Sequence, residues 1–326
     1  MENAGQHAGG RFVVTGGAGF VGSHIVDRLL ADGASRVTVV DNLSTGFAAL
    51  VSRDPRVQFV EGDLLDQGLL DRTFAGHDFV FHVAANADIK DGLLHPRKDV
   101  DQNIRATQNV LEAMRANGIK NIAFSSTGSV YGESEVFPTP EDAPMPVQTS
   151  LYAASKIAAE GLLTAYALGY SFRVWIFRFV SLLGPRYSHG HVIDFYKKLR
   201  RDPSRLEILG DGKQRKSYLH VLDCVNAIMT AIAKQPEGQS IGIYNLGQDD
   251  WIEVSASVKI ICRELGLSPK LDYTGGTRGW VGDSPKILLS TERIRALGWS
   301  PTKSIEDSIV ETLRAFQSQP FLLRDG

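Results

Sequence analysis

The stretch Thr15-Gly16-Gly17-Ala18-Gly19-Phe20-Val21-Gly22 decides the fold of this 326-residue chain. It contains the pattern Gly-x-Gly-x-x-Gly, follows the apolar run 12–15, and opens a segment with the apolar spacing of a helix. Glycines here permit a tight turn, so that the free N–H groups and partial positive charge of the helix start can hold a pyrophosphate. The stretch predicts a strand, a turn and a helix that bind a dinucleotide; the alternative is an ordinary strand-to-helix turn.

Asp41 indicates which dinucleotide this turn favours. It ends the next apolar run, about 20 residues beyond the glycines, where a carboxylate can accept both ribose hydroxyls of an adenosine. The same charge repels the 2′-phosphate of NADP, and no arginine follows directly, because the next residues are Asn42, Leu43 and Ser44. The sequence therefore favours NAD. Asp63 ends a third run and is expected either to accept a hydrogen bond from the adenine amino group or to cap a helix.

Short β-branched runs alternate with longer amphipathic segments from Arg11 onward, as is typical of parallel strands joined by helices. We predict strands at 12–15, 36–40, 57–61, 79–83, 121–125 and 173–177, the first four apolar enough for burial on both faces. We predict helices at 22–31, 69–73, 103–117 and 151–168, the last two long enough to pack against another subunit. The fold class is therefore α/β, with a Rossmann-type doubly wound parallel sheet.

The regularity weakens after Gly184, where prolines and glycines interrupt the pattern. Residues 11–184 are expected to form the dinucleotide-binding domain, 185–320 mainly a smaller substrate-binding lobe, and 1–10 a loose tail. The later pattern predicts helices at 218–233, 253–265 and 291–297 and short strands at 243–246 and 271–273. The C-terminal lobe is therefore expected to interleave with the sheet.

The composition excludes several classes of function. With 43% hydrophobic residues, 22% charged residues and a net charge of −2, the chain lacks the basic excess that nucleic acid or an anionic membrane favours. It contains no run of about 18 apolar residues, so no membrane-spanning helix is expected. Its two cysteines, Cys224 and Cys262, form no metal-ligating pattern. We therefore expect no metal and a reduced, cytoplasmic setting.

Tyr152 and Lys156 stand four residues apart, so on a helix both side chains project from one face. A phenol has an ordinary pKa near 10 and is a poor base at neutral pH unless positive charge stabilises the phenolate. A lysine and a nicotinamide together would supply that charge, so the phenol is expected to titrate near neutrality. Thr127, in a hydroxyl-rich segment after the fifth strand, can bond the reacting hydroxyl. The alternative for the pair is an exposed helical contact.

Together these motifs resemble the extended short-chain dehydrogenase/reductase family, in particular its NAD-dependent nucleotide-sugar epimerases of the UDP-glucose 4-epimerase type. The resemblance covers nearly the whole chain. Besides the glycine stretch, it is carried by Asp41-Asn42-Leu43-Ser44-Thr45-Gly46, Asp63-Leu64, His82-Val83-Ala84-Ala85-Asn86-Ala87, Asn103, Thr127, Tyr152 to Lys156, Gly184-Pro185-Arg186, Tyr218-Leu219-His220-Val221 and Arg278-Gly279-Trp280-Val281-Gly282-Asp283.

The resemblance implies inversion at C4 of a nucleotide-linked sugar, UDP-glucose and UDP-galactose first. Tyr152 would take the proton of the sugar 4-hydroxyl while C4 gives its hydride to tightly held NAD, and a 4-keto sugar would turn before the hydride returns. Lys156 would hold the ribose, Thr127 would assist proton transfer and Asn103 would support the site.

The resemblance also implies which residues line the two sites. For the cofactor they are Gly16, Gly19, Phe20, Val21, Asp41, Asn42, Ser44, Thr45, Gly46, Asp63, Leu64, Val83, Ala84, Ala85, Ala87, Asn103, Ser125, Tyr152, Lys156 and Val180. For the substrate they are Thr127, Ser129, Ser181, Arg186, Arg215, Arg278 and Asp283, of which Arg215, Arg278 and Asp283 would bind the nucleotide diphosphate. A homodimer through the helices at 103–117 and 151–168 is also expected.

Two comparisons within the resemblance bear on the chemistry. Related dehydratases place an Asp-Glu pair directly after the threonine, and decarboxylases keep a glutamate at the second position, whereas this chain has Gly128 and Ser129. Ser181 stands where the family commonly has an asparagine that touches the sugar or pyrophosphate. The identity of the sugar therefore stays open.

Arg186 could pair with a carboxylate-bearing sugar such as a glucuronate, or form a structural ion pair. Three further functions stay open at this point: a UDP-N-acetylhexosamine 4-epimerase, a nucleotide-sugar dehydratase or reductase, and a non-catalytic protein that senses NAD.

Overall fold

The computed structural model describes residues 8–145, 147–279 and 286–323, apart from the side chains of Lys90 and Asp91. The strands, in chain order, are β1 (Arg11–Thr15), β2 (Arg36–Asp41), β3 (Val57–Glu61), β4 (Phe79–His82), β5 (Asn121–Thr127), β6 (Arg173–Phe179), β7 (Ser181–Leu183), β8 (Arg205–Ile208), β9 (Arg215–Lys216), β10 (Tyr218–His220), β11 (Ile241–Leu246), β12 (Ile252–Glu253), β13 (Lys270–Tyr273) and β14 (Lys286–Ile287).

The helices are α1 (Phe20–Ala31), α2 (Gln67–Phe74), α3 (Ile89–Leu94), α4 (Pro96–Asp99), α5 (Ala106–Ala116), α6 (Leu151–Tyr170), α7 (His191–Arg201), α8 (Val221–Lys234), α9 (Val254–Leu265), α10 (Glu292–Ala296) and α11 (Ile305–Ser318). A π-helical turn, Val100–Arg105, joins α4 to α5, and 3-10 turns lie at Ala48–Leu50, Gly128–Tyr131 and Pro320–Leu323.

A seven-stranded parallel sheet forms the centre of the molecule, in the order β11-β6-β5-β4-β1-β2-β3. Its strand order turns back between β1 and β4, as in doubly wound sheets that bind nucleotides at this point. The remaining strands form small sheets: β10 with β7, β9 between β12 and β14, and β13 with β8. The predicted α/β fold class is confirmed.

The two faces of the sheet bury two apolar layers. Alternate residues of β1 take part in different layers: Phe12 and Val14 pack with residues of α1 and α8, whereas Val13 packs with residues of α2, α5 and α6. This follows from the two-residue period of a strand. The first layer continues into α7, α9 and α11, so the C-terminal lobe packs onto the same side of the sheet as α1.

The glycine turn after β1 is as tight as its sequence predicts. Gly16 has a left-handed φ of +71°, and its N–H donates to the Val40 carbonyl at 2.8 Å. A Cβ at Gly16 would lie 2.7 Å from the Ala84 nitrogen, and a Cβ at Gly22 would lie 2.1 Å from the Gly16 oxygen. The turn is therefore in close backbone contact with the first turn of α1 on one side and with the segment after β4 on the other, which only glycine allows.

Three details of the predicted elements are wrong. β3 is not buried on both faces, because it is the edge strand and pairs only with β2. The segment 218–233 is not helical throughout: Tyr218–His220 pairs with β7, and α8 begins at Val221. The helix expected from residue 103 starts in the π-helical turn, where the side chain of Asn103 bonds other segments. In each case the local structure depends on the presence or absence of a partner that is distant in the sequence.

We expect Gly22→Ala to lower the free energy of unfolding by about 1–3 kcal/mol, because the added methyl group would overlap the Gly16 carbonyl and push α1 away. Gly169→Ala is the control, since no atom lies within 4 Å of a Cβ at that position of α6 and alanine favours a helix. Urea unfolding measures both variants. Equal stability of the two would show that the turn tolerates a side chain.

Candidate active site

Asp41 lies above the glycine turn. Its carboxylate accepts hydrogen bonds from the backbone N–H groups of Ala18 at 3.0 Å and Leu43 at 2.8 Å, and it is nine-tenths buried. Burial raises the pKa of Asp41, and these two bonds oppose that rise. A Cβ at Gly46 would lie 2.9 Å from Asp41 Oδ1, so the segment after β2 folds closely over the carboxylate. The structure thus brings Gly16, Asp41 and Gly46 together.

Asp63 lies beside Asn42, at the ends of the neighbouring strands β3 and β2. The Asn42 amide donates to Asp63 Oδ2 at 2.9 Å, and the Leu65 N–H donates to Asp63 Oδ1 at 2.9 Å. The helix cap is a different residue, Asp66, which accepts from the Leu69 N–H at 2.9 Å. The prediction of a helix cap at Asp63 is therefore wrong, and its adenine contact stays a prediction.

Asn103 lies behind the segment that follows β4. Its Oδ1 accepts from the Asn86 N–H at 2.8 Å, and its Nδ2 donates to the Asn86 carbonyl at 3.1 Å and to Ser155 Oγ at 2.9 Å. The side chain is only 1% exposed. The Asn103 amide group joins the segment after β4 to α6, and its contact with the cofactor stays a prediction.

Tyr152 and Lys156 lie on the first two turns of α6, which begins at Leu151 because the Ser150 side chain accepts from the Ala153 N–H. The Thr127 hydroxyl lies beside the Tyr152 phenol and favours its ionised form. Thr127 Oγ1 also accepts from the Ser129 N–H at 3.1 Å, at the 3-10 turn after β5. The structure therefore brings together Thr127, Ser129 and Tyr152, three residues that the sequence indicated.

Lys156 is almost fully buried, with its ammonium donating to the Ser125 carbonyl at 2.8 Å and lying 4.6 Å from the centroid of the Phe124 ring. Burial lowers the pKa of Lys156 to about 7, although the carboxylates of Glu160 and Asp99 oppose this change. Burial likewise raises the pKa of Tyr152 to about 12, against the Thr127 hydrogen bond, and Asp99 adds to the rise. The expectation that Lys156 and a nicotinamide together bring the phenol near neutrality stays a prediction.

A buried polar network beneath these residues was not predicted. Glu160, one turn beyond Lys156, accepts from Arg178 Nη2 at 2.7 Å and from Ser126 Oγ at 2.5 Å. Arg178 Nη1 also donates to the Tyr131 hydroxyl at 2.8 Å, at the end of the Thr127 turn. The spacing 152, 156, 160 placed Glu160 on the catalytic face, but Arg178 reaches it only because β6 pairs with β5. The network fixes α6 against the strand end that carries Thr127.

Arg186 pairs with an aspartate of α1. Arg186 Nη2 lies 2.6 Å from Asp27 Oδ2 on α1, and the nearby Pro185 carbonyl lies 3.0 Å from His24 Nε2 on the same helix. The structural ion pair expected as one possibility for Arg186 is therefore confirmed. Ser181 is exposed at the start of β7, next to the buried Val180.

Arg215 and Lys216 are neighbours on β9, so their side chains project to opposite faces of its small sheet. Arg215 pairs with Glu253 at 3.5 Å and lies over the Trp251 ring at 5.0 Å. Lys216 lies near His191, whose pKa falls to about 3 through burial and, less, through the Lys216 charge. His191 also bonds the Tyr218 hydroxyl at 3.1 Å, and Tyr218 pairs with Ser181. The charge of Lys216 therefore acts on His191, which bonds Tyr218, whereas Arg215 is engaged with Glu253 and Trp251.

Two further residues, Arg278 and Asp283, are expected at the diphosphate. Arg278 Nη1 lies 2.6 Å from Glu133 Oε1 in a partly exposed ion pair. Asp283 lies outside the described residues.

Within the described ranges, no group of three His, Cys, Asp or Glu side chains could hold a metal ion. Nor does any helix in them have the length and apolar character needed to cross a membrane.

Known proteins that are similar to this chain in sequence or structure include epimerases and dehydratases. The family model described as "NAD dependent epimerase/dehydratase family" matches residues 12–247. A putative UDP-glucose 4-epimerase from Methanocaldococcus jannaschii is 32% identical over 303 residues, which span 91% of this chain and 95% of the relative.

Two solved structures are similar over nearly their whole length. A UDP-galactose 4-epimerase is 38% identical, with a TM-score of 0.85, and the match covers 95% of this chain and 99% of that one. A dTDP-glucose 4,6-dehydratase from Streptomyces venezuelae, solved with NAD bound, is 29% identical with a TM-score of 0.87, and the match covers 96% and 100% of the two chains. Similarity of fold alone thus does not separate the two chemistries.

We expect Lys156→Met to raise the free energy of unfolding of nucleotide-free protein at pH 7, because a buried ammonium is replaced by an apolar side chain. The unfolded lysine keeps its proton up to pH 10.5, whereas the folded one loses it above about pH 7. Wild-type stability should therefore rise between pH 7 and 10, relative to the variant, by up to about 1.4 kcal/mol per pH unit.

Urea unfolding at pH 7 and pH 9 measures this difference. Lys259→Met, at an exposed position of α9, is the control and should leave the pH dependence unchanged. A Lys156→Met protein that is less stable than wild type at pH 7 would contradict the argument.

Proposed function

The chain belongs to the NAD dependent epimerase/dehydratase family, and from this membership we propose that it inverts C4 of a nucleotide-linked sugar, with UDP-glucose and UDP-galactose as the first candidates. It is an enzyme that depends on NAD. The relatives named UDP-glucose and UDP-galactose 4-epimerase support the substrate class.

The observation that carries the choice of epimerisation is the turn after Thr127. Dehydratases of the family use an acidic pair directly after the threonine, and the first of these positions is Gly128 in this chain. A Cβ at Gly128 would lie 3.1 Å from Leu289 Cδ1 and 3.3 Å from the Phe179 carbonyl oxygen. The turn therefore has no acid for elimination and is tightly packed where one would stand, while the Thr127 hydroxyl and the Tyr152 phenol that serve proton transfer lie side by side.

The proposed cofactor site has the shape and charge that NAD requires. The contact between Gly16 and Ala84 leaves a backbone surface without side chains, and no side chain caps the N-terminus of α1 at Gly19. Asp41 is held above this surface by two backbone N–H groups and would accept the adenosine ribose hydroxyls. The further proposed contacts are Phe20, Val21, Asn42, Ser44, Thr45, Gly46, Asp63, Leu64, Val83, Ala85, Ala87, Ser125 and Val180.

NAD, when bound, supplies a reversible hydride acceptor. Tyr152 would take the proton of the sugar 4-hydroxyl and return it when the hydride comes back to the opposite face of C4. Lys156 supports the phenolate by its charge, and Glu160 keeps that charge present by opposing the effect of burial on the lysine pKa. The hydroxyls of Thr127 and Ser129 would orient the sugar 4-hydroxyl toward Tyr152.

On the substrate side we reassign the diphosphate contact from Arg215 to Lys216. Lys216 faces the region of His191 and Tyr218, the latter paired with the exposed Ser181, while the Arg215 guanidinium is engaged with Glu253 and Trp251. Arg186 is paired with Asp27, which disfavours a glucuronate. Arg278 and Asp283 stay proposals for the diphosphate end.

A homodimer is proposed through α6. Its outward face carries an exposed or half-exposed stripe of apolar and small residues at helical spacing, and Leu168 is 78% exposed there. The stripe consists of Leu151, Ala154, Ala158, Gly161, Ala165 and Leu168. A cytoplasmic setting is also proposed and is supported by the two free cysteines, one of them buried.

We expect Tyr152→Phe to lower kcat at least about 100-fold, because the phenol is the proposed general base. NMR of purified protein with UDP-galactose, UDP-glucose and their N-acetyl forms, without added NAD, follows both sugar isomers. Tyr170→Phe, at an exposed position of the same helix, should keep full activity. An active Tyr152→Phe enzyme would exclude the mechanism.

The same assay separates epimerisation from the competing functions. An absorbance change at 340 nm that matches product formation would instead favour a net reductase, and a dehydrated 4-keto product would favour a dehydratase. No turnover of any sugar, with NAD bound, would favour a sensor.

We expect Lys216→Ala to raise KM for the nucleotide sugar about tenfold with little change in kcat, because a charge-assisted contact to the diphosphate is lost in ground state and transition state alike. Arg215→Ala, the neighbouring position on the opposite face of β9, should change KM less than twofold. Steady-state kinetics of the two variants show which of the two residues contacts the diphosphate. A larger effect at Arg215 would assign the diphosphate contact to that residue instead.

A further inference from the structure

His82 is a fully buried histidine between the two halves of the proposed active site. It ends β4, where it pairs with Thr15 of β1 and Phe124 of β5. Its Nδ1 lies 2.8 Å from Thr15 Oγ1, and its Nε2 lies 2.9 Å from Thr107 Oγ1. The imidazole therefore bridges the residue before the glycine turn and the first turn of α5.

The neighbouring bonds fix the direction of each proton. Thr107 Oγ1 donates to the Asn103 carbonyl at 2.6 Å, so the same oxygen must accept from His82 Nε2–H. Nδ1 is then the acceptor, and the Thr15 hydroxyl donates to it. Thr15 Oγ1 in turn accepts from the Ala84 N–H at 3.4 Å. We call this chain, Ala84–Thr15–His82–Thr107–Asn103, the His82 relay.

The relay requires a neutral imidazole, and its surroundings keep it neutral. Burial lowers the pKa of His82 to about 3, and the charge of Lys156 acts in the same direction. The Phe124 ring lies between the two groups, 5.5 Å from the His82 ring and 4.6 Å from the Lys156 ammonium. His82 therefore does not exchange protons during turnover, and its part in the site is geometric.

Both ends of the relay lie at parts of the proposed active site. At one end, Ala84 is in backbone contact with Gly16. At the other, Asn103 holds the backbone of Asn86 by two hydrogen bonds and bonds Ser155 on the helix of Tyr152 and Lys156. Loss of the Nδ1 bond would therefore affect the Gly16 end of the relay, and loss of the Nε2 bond would affect the Asn103 end.

We propose that His82 is a positioning residue that sets the glycine turn and the catalytic helix at their working separation through its two ring nitrogens. The inference rests on the proposed function for its effect on turnover. Its effect on NAD retention does not depend on which sugar, if any, the enzyme converts.

The test uses two variants that each keep one half of the relay. The amide of asparagine reaches the position of Nδ1, so His82→Asn keeps an acceptor for Thr15 and loses the bond to Thr107. The longer glutamine reaches the position of Nε2, so His82→Gln keeps a donor for Thr107 and loses the bond to Thr15. We expect His82→Asn to retain NAD through purification with kcat lowered about tenfold, and His82→Gln to bind NAD about tenfold more weakly.

His77 provides the matched control. It is another buried histidine, bonded to the Thr38 hydroxyl at 3.0 Å and the Phe74 carbonyl at 3.2 Å, and neither partner belongs to the His82 relay. His77→Asn and His77→Gln should lower Tm as the His82 variants do, yet keep NAD content and kcat within about twofold of wild type. NAD released on denaturation, kcat by NMR and Tm are measured for all four.

If the His82 variants lost only stability, as the His77 variants should, the proposal would be overturned. Should both His82 variants fail to fold, Thr107→Val removes the same hydroxyl from the relay at constant size, and normal kcat in that variant would overturn the proposal equally. A wild-type protein that converts no nucleotide sugar would sink the proposed function. The comparison of NAD content between His82→Gln and His77→Gln would still decide the role of His82.

Discussion

Where β1 ends, the chain has to turn into α1 while the segment after β4 presses against it. The Gly16 backbone touches Ala84, and Gly22 touches Gly16, so three chain segments meet without any side chain between them. The sheet order makes this contact possible, because β4 and β2 flank β1 on either side. The position of Asp41, the opening at the start of α1 and the relay from Ala84 all depend on that one close approach.

A second set of constraints acts below the catalytic helix. Lys156 is held in an apolar setting that weakens its charge, and Glu160 opposes that effect while sharing its carboxylate with Arg178 and Ser126. Separating such a buried ion pair would leave an unpaired charge inside the protein, which costs free energy. The groups of the network are therefore held in one arrangement. Rigidity here has a chemical use, since the hydroxyls of Thr127 and Tyr152 lie on two elements that the network joins.

Much of the fold and part of the site could be predicted from the sequence, and the difference follows from the distance between partners. The glycine turn, Asp41, and the Tyr152 and Lys156 pair depend on spacings within one strand, turn or helix, which the sequence displays directly. The partner of Arg186 could not be predicted because Asp27 lies 159 residues away in the sequence. Arg215 was predicted and Lys216 was not considered, since the register of β9 with β12 and β14, which the sequence does not display, decides where each side chain lies. The pKa of Tyr152 needed the burial of the phenol, which no spacing gives.

The packing of Leu289 against Gly128 has a consequence for how the chemistry of this enzyme can evolve. A side chain at position 128 would require Leu289 and the Phe179 carbonyl to give way by a few tenths of an ångström, so a mutation that introduces an acid there carries a packing cost before it brings any new reaction. A smaller residue at position 289 would remove part of that cost, although by itself it adds no catalytic group. The two positions are thus coupled, and in a lineage with Leu289 a change to elimination chemistry meets a barrier in the packing of this turn as well as in the missing acid.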